Sequence, residues 1–274
     1  MVSQEQRRRQ LAREKFLRQQ QRRTSARRKT RMRNSVIASV LGVVVIVGVT
    51  LYTTGALKGN DDKVNAGSET TPSASASPSK APDPCEKAAA GSVKKMSWKK
   101  EPAMTIDTSA KYTMTLSTTC GDIGIALKTS AAPHTVNSFD FLASKGYFDH
   151  TKCHRLTTNG IYVLQCGDPT GTGSGGPGYT IPDENLKDTS LKGGVYPAGT
   201  VAMANTGQKH TGGSQFFLVY QDSQLPASYT PFGTVDAAGL KILKKIAAAG
   251  ESTGQGDGAP NATVVINKAT VTKS

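Results

Sequence analysis

At 274 residues and a formal net charge of +14, the chain has room for one or two domains, but its charge is unevenly spread. Residues 1–33 hold thirteen Lys and Arg against Glu5 and Glu14, a net of +11, so the rest of the chain carries only +3. That excludes a folded domain with a basic surface throughout, and the four cysteines form no CxxC pair of the kind that marks a zinc site.

The first segment, residues 1–34, is a basic tail rich in Gln, Arg and Lys. It reads most simply as a solvated topogenic tail beside a membrane span; a helix near anionic lipid and a nucleic-acid-binding arm are the other uses of such a segment. Residues 35–57 follow without a single charge. As a helix they extend roughly 34 Å, enough for a hydrocarbon core of about 30 Å. A cleavable signal peptide is the competing reading, but the long basic region and an apolar run beyond the usual 7–15 or so residues favour a retained anchor. The Arg cluster before the span puts the N-terminus in the cytoplasm and everything after residue 57 outside. Residues 58–103 form a linker centred on Ser73–Pro78, too poor in apolar side chains to fold alone. The domain proper is expected over 104–274.

Cys85, Cys120, Cys153 and Cys166 all follow the span, in a compartment where disulfides persist. Cys153 and Cys166 are symmetric about Asn159-Gly160, a hairpin-type dipeptide, which suggests one bridge there and a second from Cys85 to Cys120. Strict pairing through that turn sets Arg155 and Gln165 on opposite faces, so a common face for the two requires a bulge or a longer loop. Three pairings stay formally open.

Alternation at Met114 and Leu116, and at Ile123, Ile125 and Leu127, predicts a β-hairpin turning over Thr118–Asp122. Pro133 opens a helix with Val136, Phe139 and Leu142 on one stripe and Gly146 past its end. A second helix is predicted over Ala237–Ala248, with Leu240, Leu243 and Ile246 inward. Strands and Gly-rich loops fill the interval, and two short strands, 263–266 and 269–271, end the chain. A strand-dominated stretch of this length with two helices suits a closed antiparallel barrel, because closure removes exposed edges.

Short blocks between 154 and 233 are more specific. They are His154-Arg155-Leu156, Tyr162 to Asp168, Met203-Ala204-Asn205, Gly213 to Phe217, and Leu225 leading to Phe232-Gly233. In this order and spacing they resemble the working groove of a cyclophilin, a peptidyl-prolyl cis-trans isomerase. The resemblance implies a mainly β fold, a closed eight-stranded antiparallel barrel with two capping α-helices, here preceded by one transmembrane helix.

It also implies roles. Arg155 matches the catalytic arginine and Gln165 the groove glutamine. Tyr162, Val163, Phe217 and Leu225 match the walls of the pocket that receives a proline ring, Asn205, following Ala204, matches the position whose backbone holds an extended substrate, and Gln215 and Tyr229 complete the substrate groove and its rim. Phe216 and Leu218, one residue out of phase with Gln215 and Phe217, belong to the core. No metal or other cofactor is implied. The expected partners are proline-containing unfolded or exported polypeptides, with membrane lipid around residues 35–57, no nucleic acid, and a monomeric catalytic domain outside the cell. Tyr162, Val163, Gln224 and Tyr229 depart from the best-known members and change the pocket rim. A proline-segment binding module with little turnover is the rival reading, against which the intact Arg155 and Gln165 stand. The GxGxxG-like run Gly171–Gly176 precedes Pro177, not a helix, and so reads as a loop rather than a nucleotide site. Asn261-Ala262-Thr263 is a glycosylation sequon.

Overall fold

The alternation of the first predicted hairpin is carried directly into the fold. In the computed structural model, which describes residues 83–274, Tyr112–Thr118 (β1) and Gly121–Leu127 (β2) pair antiparallel, with Tyr112, Met114 and Leu116 and their counterparts Ile123, Ile125 and Leu127 buried. The turn is tighter than the sequence suggested, since Thr118 already pairs with Gly121. The described residues all fall within one unit of the chain. The basic tail, the expected span at 35–57 and most of the expected linker lie outside the described residues; among those described, no helix is long and apolar enough to cross a membrane.

The remaining strands are Thr151–Lys152 (β3), Arg155–Thr157 (β4), Val163–Cys166 (β5), Val195–Tyr196 (β6), Thr200–Met203 (β7), Phe216–Val219 (β8), Ser223–Gln224 (β9), Pro231–Val235 (β10), Asp257–Gly258 (β11) and Val265–Lys273 (β12). The sheet runs β11-β4-β5-β8-β7-β10-β2-β1-β12-β3, with β6 and β9 as a separate pair. This corrects the expected closed eight-stranded barrel. Ten strands form a curled antiparallel sheet whose two ends are the two-residue strands β11 and β3, kept too short to offer a long free edge. The two expected C-terminal strands are one, β12. Its register against β1 slips between Ser117 and Thr118, leaving Asn267 as the extra residue of a bulge, and the bulge puts the alternation out of phase.

Two helices pack on the sheet. Pro133–Ser144 (α1) contacts β12, and Ala237–Ala248 (α2) contacts β2. Asp236 caps α2 in the ordinary way, accepting from the Gly239 N–H at 2.6 Å. Ala132 cannot do so for α1; instead Glu184, some fifty residues on, accepts from the N–H groups of His134 and Thr135 at 3.0 and 2.9 Å. Between α1 and the sheet sits an aromatic cluster in which Phe139 lies 4.5 Å from Phe232, 5.3 Å from Phe148 and 5.5 Å from Phe216 by ring centroid. Such pairs contribute about 0.5–1.5 kcal/mol each beyond their buried area.

The domain begins before Met104. Residues 83–103, taken from composition as linker, lie against the sheet domain: Trp98 stacks edge-on to Phe141 at 5.1 Å and donates its backbone N–H to Pro177 O at 2.8 Å. Asn267, the extra residue of the bulge, accepts from the Ala89 N–H, and Cys85 is joined to Cys120 in the β1–β2 turn. The second bridge joins Cys153 and Cys166. The sequon asparagine is engaged as well, since its amide nitrogen donates to Ala249 O at 2.9 Å and Glu251 O at 3.3 Å.

Candidate active site

Two residues of one strand face a single residue of the next, and this brings the site together. Arg155 is the register partner of Gln165, yet the N–H of the preceding His154 also donates to Gln165 O at 3.1 Å. That bulge lets Cys153 bridge to Cys166 while Arg155 and Gln165 share a face, which a strict hairpin forbids. Gln165 in turn pairs with Phe217 of β8, and Phe217 with Ala202 of β7, so Arg155, Gln165, Phe217 and Ala202 form one cross-strand row. Phe216 and Leu218 point the other way into the main core.

Beside the row lies a cavity of about 200 Å³ lined by Arg155, Ile161, Val163, Gln165, Ala204, Asn205, Phe217, Leu225 and Tyr229. Its floor is a second, smaller apolar cluster, in which Phe217 meets Tyr229 edge-on at 5.4 Å and Val163 and Leu225 are buried nearby. A larger open groove adjoins it, sharing Gln165, Ala204 and Asn205 and including Gln215. Of the ten site residues expected from sequence, nine thus line one or both depressions. Tyr162 does not: its ring stands 5.9 Å from Tyr220, and Ile161 occupies the cavity wall instead. The reason is the strand period, because Ile161 and Val163 lie on the face of Gln165 and Tyr162 on the opposite one. Gln224 also lies away from the cavity, its amide donating to Gly193 O.

A chain of hydrogen bonds runs along the groove. The Arg155 Nη1 donates to Gln165 Oε1 at 3.2 Å, Gln165 Nε2 to Gln215 Oε1 at 2.9 Å, and Gln215 Nε2 to Gly175 O at 2.9 Å. At the other end the guanidinium meets Asp257, a residue that sequence reasoning missed. Its Nε and Nη2 donate to the two carboxylate oxygens at 2.7 and 2.8 Å. This pair raises the Arg155 pKa above its ordinary value and lowers that of Asp257, chiefly through the hydrogen bonds between them. Next door, burial pushes His154 below the usual imidazole range, opposed by the nearby Asp168 charge and assisted by Arg155. Both ring nitrogens of His154 are buried without a hydrogen-bond partner.

The glycine-rich run is a loop wound round its own anion. Burial acts to raise the Asp168 pKa, yet it is held low because the carboxylate accepts from the Thr170 hydroxyl and from four backbone N–H groups, those of Thr170, Thr172, Gly173 and Gly175. Backbone donors of the kind that cradle a phosphate are thereby spent on an internal side chain. The loop also presents Gly175 O to Gln215 at the end of the polar chain.

These features define a class: a curled antiparallel sheet with a small, apolar-floored cavity at its surface and a fixed guanidinium at the cavity rim. The family model for cyclophilin type peptidyl-prolyl cis-trans isomerases matches residues 113–271, and the chain belongs to that family. It is 50% identical over 165 residues to a probable peptidyl-prolyl cis-trans isomerase B of Mycobacterium leprae, covering 57% of this chain and 56% of the relative. It is 42% identical over 125 residues to peptidyl-prolyl cis-trans isomerase B of Bacillus subtilis, covering 45% of this chain and 82% of that protein. The chain thus spans little more than half the length of the mycobacterial relative. A crystal structure of a Cryptosporidium parvum cyclophilin type isomerase is similar at a TM-score of 0.48 and 26% identity, covering 60% of this chain and 99% of that one.

Proposed function

We propose that the chain accelerates cis–trans isomerisation of X-Pro bonds in exported or cell-surface polypeptides, working outside the membrane from an anchor at residues 35–57. The observation that carries the reading is the juxtaposition of the Arg155 guanidinium with a cavity whose apolar side is formed by Val163, Phe217 and Leu225.

An X-Pro bond has a barrier near the roughly 18–20 kcal/mol of any amide. Twisting removes conjugation and leaves a lone pair on the nitrogen, so a cationic donor aimed there favours the twisted state over either planar one. With the proline ring in the cavity, Arg155 is the residue on hand to supply that donor. Its permanent charge and planar fork suit the task. The Asn205 side chain is committed to Ser228 O and the Gly207 N–H, while its backbone groups have no partner among the described residues and remain for an extended substrate. The uncharged stretch at 35–57 supports the anchor, and the two disulfides support an oxidising compartment.

The test is the exchange rate of an Ala-Pro peptide with the full chain and with Arg155→Ala. Acceleration by the wild type, reduced about a hundredfold or more in a folded variant, is expected. A folded wild type that leaves the rate unchanged refutes the reading. Proteolysis of intact cells tests the topology, since the folded domain must be reachable from outside.

A further inference from the structure

We propose that Asp257 is the positioning residue of this site, holding Arg155 by one edge so that its other edge faces Gln165 and the cavity. The inference rests on the reading of Arg155 as the group that acts on the twisted amide.

A guanidinium has five N–H donors, and two of them, on Nε and Nη2, go to the Asp257 carboxylate, while one on Nη1 goes to Gln165. The remaining two, one on Nη1 and one on Nη2, are uncommitted among the described residues. A two-point contact fixes the plane of the group as well as its place, which a single hydrogen bond cannot do. The alternative, a merely stabilising ion pair, fits the surroundings poorly. The side chains of Arg155 and Asp257 are 38% and 55% exposed, and pairs in that setting add little to stability. What such a pair can do is narrow the rotamers of a long, mobile side chain beforehand.

The strand that presents Asp257 is itself held in place from behind. Glu251, only 7% exposed, accepts from the Thr253 N–H at 2.6 Å, the Thr253 hydroxyl at 2.7 Å and the Gly256 N–H at 2.8 Å. Gly256 O accepts from the Thr158 N–H at 2.9 Å, just past the end of β4. Gly256 has φ +90°, and a Cβ there would sit 2.4 Å from that of Asn159. The turn is thus pinned on both sides of Asp257. Asp257 pairs with Thr157, which makes it the diagonal neighbour of Arg155 across the strand pair.

The experiment uses the full chain as wild type, Asp257→Ala, Asp257→Asn and Arg155→Ala. Exchange spectroscopy on an Ala-Pro peptide at several concentrations separates kcat from KM, and arginine-selective 15N labelling reports the Nε–H of Arg155, identified by its loss in Arg155→Ala. The expected result is kcat lower by about ten- to a hundredfold in both Asp257 variants, with KM unchanged to within about twofold and the Nε–H resonance moved or broadened by solvent exchange. Asp257→Asn keeps the size of the side chain, so it reads the effect if the alanine variant folds poorly. Wild-type kcat in folded Asp257 variants overturns the proposal, as does a fall in kcat with the Nε–H resonance unmoved. If Arg155→Ala is inactive while the Asp257 variants work normally, only this inference fails; if Arg155→Ala retains full activity, the catalytic reading falls and this inference with it.

Discussion

Opening the Cys153–Cys166 bridge should damage catalysis as well as stability, and opening Cys85–Cys120 should do only the second. The bridges span 13 and 35 residues. By loop-closure entropy they restrict the unfolded chain by about 3 and about 4 kcal/mol respectively, so length alone ranks the Cys85–Cys120 bridge first. The structure reverses that order for global unfolding. Cys153 and Cys166 are 4% and 0% exposed within the core, one on each side of the bulge that aligns Arg155 with Gln165. Cys85 instead ties down the segment that leads into Trp98, and that segment can detach locally while the sheet stays folded.

In the full chain, the double variant Cys153→Ala/Cys166→Ala is therefore expected to lose about 3 kcal/mol, which for a domain of this size lowers Tm by about 6–12 °C. Its kcat on an Ala-Pro peptide, measured well below the transition, should fall with it, because the bulge is free to slip. Cys85→Ala/Cys120→Ala should keep kcat and lose less than its loop length implies. Its loss should appear as faster hydrogen exchange at the N–H groups of Glu86, Ala89 and Trp98, which bond to Thr119, Asn267 and Pro177. Thermal melts by circular dichroism, exchange kinetics and the peptide assay together check this. The reasoning is refuted if the first variant keeps both Tm and kcat, or if the second suffers the greater loss of kcat.

Phe232→Ala should cost about 3–5 kcal/mol in urea unfolding, since this fully buried ring packs on Phe139 at 4.5 Å and little can move in to fill the space. Asp236→Ala should cost about 1 kcal/mol by removing the cap on the Gly239 N–H, and a change within error would argue against that bond. For His154 the sign follows from burial, which lowers its folded pKa. Below the unfolded pKa of about 6.5 the unfolded chain takes up a proton that the folded one refuses, so stability declines as pH falls, by at most about 1.4 kcal/mol per unit, down to the folded pKa. His154→Gln should flatten that decline in urea titrations between pH 7 and 5; an unchanged slope would show that His154 is not its source.

What could be read from the sequence was what is local. The first hairpin and both helices follow from periods of two and about 3.6, and their residues lie where those periods put them. Strand pairing is not local, and neither the ten-strand order nor the open ends could be derived from alternation. The bulge at Asn267 shifted the phase of β12, so one strand looked like two. Composition made residues 83–103 look like linker because nearly half are polar or charged and most of the rest are Ala, Gly or Pro. The contrary signal was the chain's single tryptophan, a residue that seldom stands in a solvated linker and here is packed beside Phe141 and Tyr147. At the site, nine of the ten residues named from the motif blocks line the two depressions, whereas Tyr162 faces the other way. Counting back by twos from Gln165 gives Val163 and Ile161, the residues that line the cavity. Asp257 offered no such handle. Its contact with Arg155 spans 102 residues, and its surroundings, Gly254 to Gly258, look like any glycine-rich turn.

That turn bears on how a half-exposed arginine can be held in one orientation, as the proposed role of Arg155 requires. Burying the guanidinium would fix it at the cost of desolvating a charge, and leaving it free would keep the charge but scatter its direction. Here neither is needed. Asp257, Arg155, Gln165, Gln215 and the carbonyl of Gly175 form a continuous run of hydrogen bonds, anchored at one end by the turn built on Glu251 and at the other by the loop wound round Asp168. Both anchors are carboxylates satisfied by backbone N–H groups, so each loop is rigid without a large apolar core of its own. The apolar floor of Phe217, Val163 and Leu225 lies beside this run rather than beneath it. On the proposed reading, a proline ring seated on the floor meets a charge whose orientation is set before it arrives, so the protein need not reorganise as the amide twists.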